Sequence, residues 1–374
     1  MIAQPAAGVL LHPTSLPGPF GIGDMGPEAF QFVDWLADAG QGFWQFLPLG
    51  PPGDGDSPYQ SLSAFAGNPL LISPEMLVED GLLSADQLAP VSHTCDGRAD
   101  RVDFPAVEKA KNPLLQWAFD RFNALPASHA LHVSFDDYRD GQAMWLNDFA
   151  LFMALREING EQAWTRWQEG VDSNRRPLPG MSESLRPRIR FHTFVQWVFD
   201  RQWDALRRYA NGRGVRLIGD LPIYVSHDGA DVWANRELFQ LDASGQAAAV
   251  AGVPPDYFSE TGQLWNNPLY NWDANRQQGY RWWIHRVRGL LGRLDFIRLD
   301  HFRGYQAYWA VPAGATTAEQ GQWVPGPGAE LFEAIDRAMV AQPDATAKHH
   351  LCLPLIAENL GYITPDVDAL QQRL

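Results

Sequence analysis

An α/β fold built on parallel strands and interrupted by a helical insertion is what this 374-residue sequence predicts. Three observations carry that expectation. Short apolar runs that read as buried strands alternate with segments of helical spacing towards both ends of the chain. From about Asn68 to Asn211 the alternation stops and helical signals take over. Two of the strand-like runs end on an acid followed at once by glycine-containing loop sequence, Asp295-Phe-Ile-Arg-Leu-Asp300-His-Phe-Arg-Gly304 and Leu353-Pro-Leu-Ile-Ala-Glu358-Asn-Leu-Gly361. Each carboxylate is thereby set at a strand's C-terminal end, where parallel barrels carry their catalysts.

In chain order, Gly8-Val-Leu-Leu-His12 is the first strand, followed by the turn-rich Pro13–Pro19. A helix follows, with Pro27 suited to its first turn, Phe30, Val33 and Leu36 at helical spacing, and Gly40 as its stop. Phe43-Trp-Gln-Phe-Leu47 is the second strand. Beyond the insertion, a helix bearing Phe194, Val195, Val198, Phe199 and Leu206 leads into the third strand, Gly214-Val-Arg-Leu-Ile-Gly-Asp220. A long loop, 227–273, comes next. Tyr280, Trp283, Ile284, Val287, Leu290 and Leu291 then make one apolar helical stripe before the fourth strand, which ends at Asp300. Leu331, Phe332, Ile335 and Met339 mark another helix, and Leu351–Ala357 is the fifth strand. Thr364-Pro365-Asp366 opens a last helix with an N-cap, a proline at the first position and an acid in the first turn. The expected organisation is therefore residues 1–67 with strands one and two, 68–211 as a mainly helical inserted subdomain, and 212–374 with strands three to five and a lid loop at 227–273. A closed parallel barrel needs eight strands, so five imply an incomplete barrel or a chain truncated after about five.

Composition narrows the function. A formal net charge of −15 argues against a phosphate-backbone partner and fits neutral substrates. The two cysteines, Cys95 and Cys352, have no CxxC spacing, which points to a reducing compartment and hence the cytoplasm. No basic segment followed by an apolar run opens the chain, and no long uncharged apolar stretch suggests a membrane partner. Aromatics are plentiful, with 15 Trp, 20 Phe and 10 Tyr. Several, among them Tyr59, Tyr257, Phe258, Trp265 and Trp272, fall in polar or Pro/Gly-rich segments. They suit either stacking on sugar rings or small cores that pin long loops.

Two carboxylates on neighbouring strands are what cleavage of a glycosidic bond needs, one to attack or balance the anomeric centre and one to protonate the leaving oxygen. Arg298 and Asp300 are two apart on a strand and share a face, so the guanidinium is expected to hold Asp300 ionised. A structural ion pair is the other reading. Glu358, next to Ile356 and Ala357, is expected to keep its proton through burial and the charge of Asp300, or else to cap a helix. Their oxygens are expected about 5 to 6 Å apart, the spacing of a covalent mechanism. Asp220, ending the third strand, serves sugar hydroxyls, Arg298 or structure. Tyr59 in Ser57-Pro-Tyr-Gln60 is a stacking platform or a loop anchor, and Gly252–Trp265, with Asp256, Phe258, Gln263 and Trp265, reads as a semi-rigid lid. His12, His227 and His301 lack metal-ligand spacing, and this chemistry needs no metal and no cofactor. His12 and His301 read as donors to sugar hydroxyls or as core histidines.

At these residues the chain closely resembles the 4-α-glucanotransferases, the amylomaltases or disproportionating enzymes of the α-amylase clan. The strings that carry the resemblance are Leu47-Pro-Leu-Gly-Pro51, Asp56-Ser-Pro-Tyr-Gln60, Ala64-Phe-Ala-Gly-Asn-Pro69, Gly219-Asp-Leu-Pro-Ile-Tyr-Val225, Gly252-Val-Pro-Pro-Asp-Tyr-Phe258, Arg298-Leu-Asp-His-Phe-Arg-Gly304 and Ala357-Glu-Asn-Leu-Gly361. The resemblance implies a (β/α)8 TIM barrel with insertions that passes an α-1,4-glucan segment between maltooligosaccharides, with retention, through a covalent glucosyl-enzyme. It implies Asp300 as nucleophile and Glu358 as acid and then base. Tyr59, Asp256, Phe258, Gln263, Trp265 and Arg298 match its donor-site or lid positions. Asn359 stands where the family has an aspartate, and the family's third acid, on the seventh strand, is expected beyond Leu374. A group of that kind, acting only in the transition state, supplies on the order of several kcal/mol. A retaining α-glucan hydrolase, or a catalytically silent glucan-binding fragment, are the alternatives that share every motif named here.

Overall fold

The computed structural model describes residues 6–91, 101–257, 259–339, 353–361 and 363–374. The chain divides into two compact units, one of residues up to Pro58 with Ala66–Ile218, the other of Tyr59–Phe65 with Gly219–Leu374. No helix among the described residues is long and apolar enough to cross a membrane. Cys95, Cys352 and Phe258 lie outside the described residues.

In the first unit, strands β1 (Gly8–Leu10) and β2 (Phe43–Gln45) and the opening residues of β3 (Arg216–Pro222) pair in parallel, in that order. Gly8 sits opposite Phe43, and a Cβ at residue 8 would meet the Phe43 carbonyl oxygen at 2.7 Å, so the strands approach only because the position is glycine. The helix between β1 and β2, Pro27–Asp38, buries Ala29, Val33 and Leu36, as its spacing predicts. Gly40 stops the chain's helical course at φ +68°. The described part of 68–211 is dominated by helices, of which Phe104–Asn123, Ala143–Ile158 and Arg186–Gly212 are the longest. Arg186–Gly212 buries all five residues of its predicted stripe and also Gln196 and Gln202.

The second unit holds the last residues of β3 and then β4 (Ala249–Val253), β5 (Gln263–Pro268), β6 (Phe296–Asp300), β7 (Ala307–Pro312), β8 (Gln322–Pro325) and β9 (Leu355–Ala357). β3, β6 and β9 continue the parallel arrangement, with Ile297 opposite Leu355 and Leu299 opposite Ala357. All five predicted strands are therefore present, the last described over Leu355–Ala357, with Leu351 and Cys352 outside the described residues. β4, β5, β7 and β8 form a separate antiparallel sheet, in the order β5-β4-β7-β8, with β4 and β5 inside the stretch 227–273 that reads in the sequence as loop and β7 and β8 between Asp300 and the helix marked by Leu331. Gly252 allows it: a Cβ there would stand 2.5 Å from the Gln263 carbonyl oxygen of β5.

The helix Arg281–Arg293 packs Trp282, Trp283, Arg286 and Val287 inward, so the buried face includes an arginine that an apolar stripe does not announce. Tyr280, counted in the stripe, stands just before the helix with φ +55°. Thr364 has extended backbone at the N-cap of the helix Pro365–Arg373, but its side chain makes no capping bond.

Candidate active site

Parity along β6 puts Arg298 and Asp300 on one face. The Arg298 guanidinium stands at the centre of three carboxylates. Nη1 donates to Asp220 Oδ1 at 2.6 Å and to Asp300 Oδ1 at 3.0 Å, and Nη2 donates to Glu358 Oε1 at 2.8 Å. Glu358 follows β9 directly and is set by two main-chain bonds. Its own N–H donates to the Leu299 carbonyl at 3.1 Å, and its Oε2 accepts from the His301 N–H at 2.6 Å. That last bond needs the chain to turn sharply after Asp300, which it does with His301 at φ +53°. A Cβ at Gly304 would crowd the His301 ring at 2.9 Å and Ile223 Cδ1 at 2.8 Å, which is why the turn closes on glycine. Asp220, 5 % exposed, also accepts from the Tyr59 hydroxyl at 2.9 Å.

Three carboxylates against one guanidinium leave excess negative charge, and the protonation follows from that. Burial, then the charges of Asp220 and Glu358, push Asp300 up to about 7, and they outweigh the opposing pull of Arg298. Arg298 therefore does not by itself hold Asp300 ionised, a correction to the two-residue argument, which left Asp220 out of the balance. The Asp300 and Glu358 carboxyls meet the same guanidinium, Asp300 through Nη1 and Glu358 through Nη2. Burial also raises Asp220, with Arg298 and Tyr59 pulling the other way. Burial works against the charge of Arg298, but Asp220, Glu358 and Asp300 together raise its affinity for its proton. The His301 ring is pushed down to about 4 by burial, so it is neutral at pH 7.

A cavity of about 440 Å³ opens over this cluster, within the size range of small-molecule sites. Of the sequence-predicted residues, Tyr59, Trp265 and Asp300 line it. His301 stands behind Trp265, its ring edge-on to the indole at 4.9 Å. Gln263 holds the same indole from the side, accepting from Trp265 Nε1 at 3.2 Å. Asp256 is not among the lining residues: it is exposed and closes a turn, accepting from the Ser259 N–H at 2.9 Å. Tyr257 is 89 % exposed, whereas Trp272 packs with Tyr270 and Trp283, the small-core use of the two expected. His12 bonds within its own unit, to Thr14 and the Pro48 carbonyl.

Asn267 and Tyr224 also line the cavity and carry no signal of their own in the sequence. Asn267 Nδ2 donates to the Val225 carbonyl at 2.9 Å, and its Oδ1 accepts from Gln60 at 3.4 Å. The one hint was position: Tyr224 falls in the string Gly219–Val225 already singled out, and Asn267 lies two residues past Trp265 in the stretch read as loop.

Strand-end carboxylates around one arginine, beside an aromatic-lined cavity in a parallel α/β fold, define a glycoside-processing enzyme. The comparisons specify which. The family model described as 4-alpha-glucanotransferase matches residues 11–374. The 4-alpha-glucanotransferase of Synechocystis sp. is 46% identical over 377 residues, covering 99% of this chain and 71% of the relative. That of Thermus thermophilus is 45% identical over 369 residues, covering 98% and 70%. The solved amylomaltase of Streptococcus agalactiae superposes with a TM-score of 0.89 at 40% identity, over 99% of this chain and 72% of that one.

The chain belongs to the 4-alpha-glucanotransferase family. Its activity is glucan transfer, and its fold is of the (β/α)8 TIM-barrel class.

Proposed function

We propose that Asp300 is the nucleophile and Glu358 the acid and base of a retaining transfer between maltooligosaccharides. The observation that carries this reading is that Asp300 and Glu358 meet a single guanidinium with a third carboxylate, Asp220, beside them, an excess of negative charge that favours one negative charge and one proton across the two carboxyls. With the proton on Glu358, the Asp300 carboxylate attacks the anomeric carbon of a bound donor. The glycosidic C–O bond breaks, and Glu358 gives its proton to the departing 4-oxygen. An acceptor 4-hydroxyl then loses its proton to Glu358, attacks the same carbon and releases Asp300. Arg298 stabilises whichever carboxyl is charged, and Asp220 with Tyr59 fixes the guanidinium in place. Trp265 and Tyr59 offer aromatic faces to glucose rings, and the neutral His301 ring backs the Trp265 indole edge-on. Gln263, Asp256 and Phe258 belong to the lid in this reading.

The substrate class is supported by the family and by the Streptococcus agalactiae amylomaltase, which was solved with acarbose. A neutral glucan also suits a chain of net charge −15. The compartment we propose is the cytoplasm, on the ground of two cysteines in 374 residues. Incubation with maltotriose tests the reaction: transfer yields glucose together with longer oligomers, whereas hydrolysis yields shortening alone. A fluorinated glucosyl fluoride tests the residue, since the trapped sugar should map by peptide mass to Asp300. A label on any other side chain rejects the assignment.

A further inference from the structure

Arg286 has no part in the scheme above, although it is 3 % exposed and carries a charge on the buried face of a helix. Its Nη2 donates to the Pro222 carbonyl at 2.7 Å and its Nη1 to the Ile223 carbonyl at 3.3 Å. The Trp282 and Trp283 rings lie 5.3 and 5.1 Å from its guanidinium carbon, and the buried Asp231 supplies the opposing charge. The Tyr270 hydroxyl donates to the same Ile223 carbonyl at 2.8 Å. Burying a guanidinium is expensive, and an apolar side chain of similar volume would fill the space as well. What only the planar fork provides is a hold on two consecutive carbonyls. Those carbonyls belong to cavity-lining residues, and Asp220 lies two residues before Pro222 on β3.

We propose that Arg286 is a positioning residue for the transfer reaction, pinning the end of β3 so that Asp220 stays against Arg298 and Asp300 and the cavity wall keeps its shape. The inference rests on the roles proposed for Asp220 and Asp300. Asp300 faces Asp220 from β3, Arg298 from its own strand and Glu358 after β9. Of these, Asp220 is the one whose place depends on the pinned segment. If that segment loosens, the negative charge of Asp220 acts less on Asp300, which then gives up its proton at lower pH.

Arg286→Lys tests this with charge conserved, because a single ammonium nitrogen on a shorter side chain replaces the two separate nitrogens that reach the two carbonyls. With maltotriose as substrate, the variant should fold with a thermal midpoint near wild type and lose about ten- to a hundredfold in kcat/KM. Its acid pH limb should move to lower pH. Tyr270→Phe should shift both readouts in the same direction by less, and the double variant should show less than the sum of the two, since both act through the Ile223 carbonyl. A folded Arg286→Lys enzyme with wild-type kcat/KM and an unmoved limb overturns the inference. If that variant fails to fold, Tyr270→Phe decides by the same two readouts. Labelling wild type with the fluorinated glucosyl fluoride separates the failures. A label away from Asp300 overturns the reading beneath, while a label on Asp300 with unchanged variants overturns the role of Arg286 alone.

Discussion

Asp300 shows how one residue's chemistry is set by a cluster rather than by a neighbour. A strand pair such as Arg298 and Asp300 is legible in the sequence, because parity alone places both on one face. The third carboxylate is not legible, since Asp220 lies on another strand and its bond to Tyr59 spans 161 positions of sequence. That hidden charge decides the titration. Asp300 attacks only as the carboxylate, and its proton is lost at about pH 7. kcat/KM on maltotriose should therefore rise with pH up to about 7. The sign for a variant follows directly: Asp220 raises Asp300, so Asp220→Asn should lower it and carry the acid limb to lower pH, besides reducing the rate. A pH–rate series on the two proteins checks this, and a limb that stays in place or moves upward contradicts it.

At the scale of elements, the parallel strands were readable because each combines an apolar run with a polar or glycine-rich exit, and the long helices because their apolar residues keep one face. The antiparallel sheet was not. β8 is only the four residues Gln322–Pro325, and β4, Ala-Val-Ala-Gly-Val, is as compatible with a loop lining as with a strand. Polar residues on buried helix faces also escape a reading by periodicity, and the helix Arg186–Gly212 shows why they belong there. Gln196 accepts from the Gly67 N–H at 2.7 Å and donates to the Gly67 carbonyl at 2.9 Å. Six residues on, Gln202 does the same for Ser73, at 2.7 and 3.0 Å. Both side chains act as short strands, pairing an irregular segment that has no ladder of its own. Gln196→Leu leaves a buried N–H and a buried C=O unpaired, and should lower stability by about 2 to 4 kcal/mol. Urea unfolding measures it, and a loss below about 0.5 kcal/mol contradicts the pairing argument.

For the whole molecule, the formal charge of −15 says little about how charge is handled inside, where each unit buries a cation in its own way. In the second unit Arg286 rests on carbonyls and indole rings. In the first, Lys111, 2 % exposed, donates to Asp24 Oδ2 and to the Leu70 carbonyl, both at 2.7 Å. Asp24 is itself buried and also accepts from the Gly26 N–H at 2.9 Å. Burial lowers Lys111 and raises Asp24, each partner opposing the shift of the other, so the pair survives only as a pair. Since a folded domain is stable by only about 5 to 15 kcal/mol, one broken buried pair is a large share of the total. Lys111→Met strands the buried Asp24 carboxylate without its cation, and should destabilise the protein by about 3 to 5 kcal/mol. Adding Asp24→Asn removes the stranded charge while keeping an acceptor for Gly26, so the double variant should recover most of that loss. Denaturation of the three proteins side by side decides it. If Lys111→Met and the double variant unfold at the same urea concentration, the stranded carboxylate is not the source of the loss, and the lysine acts through packing instead.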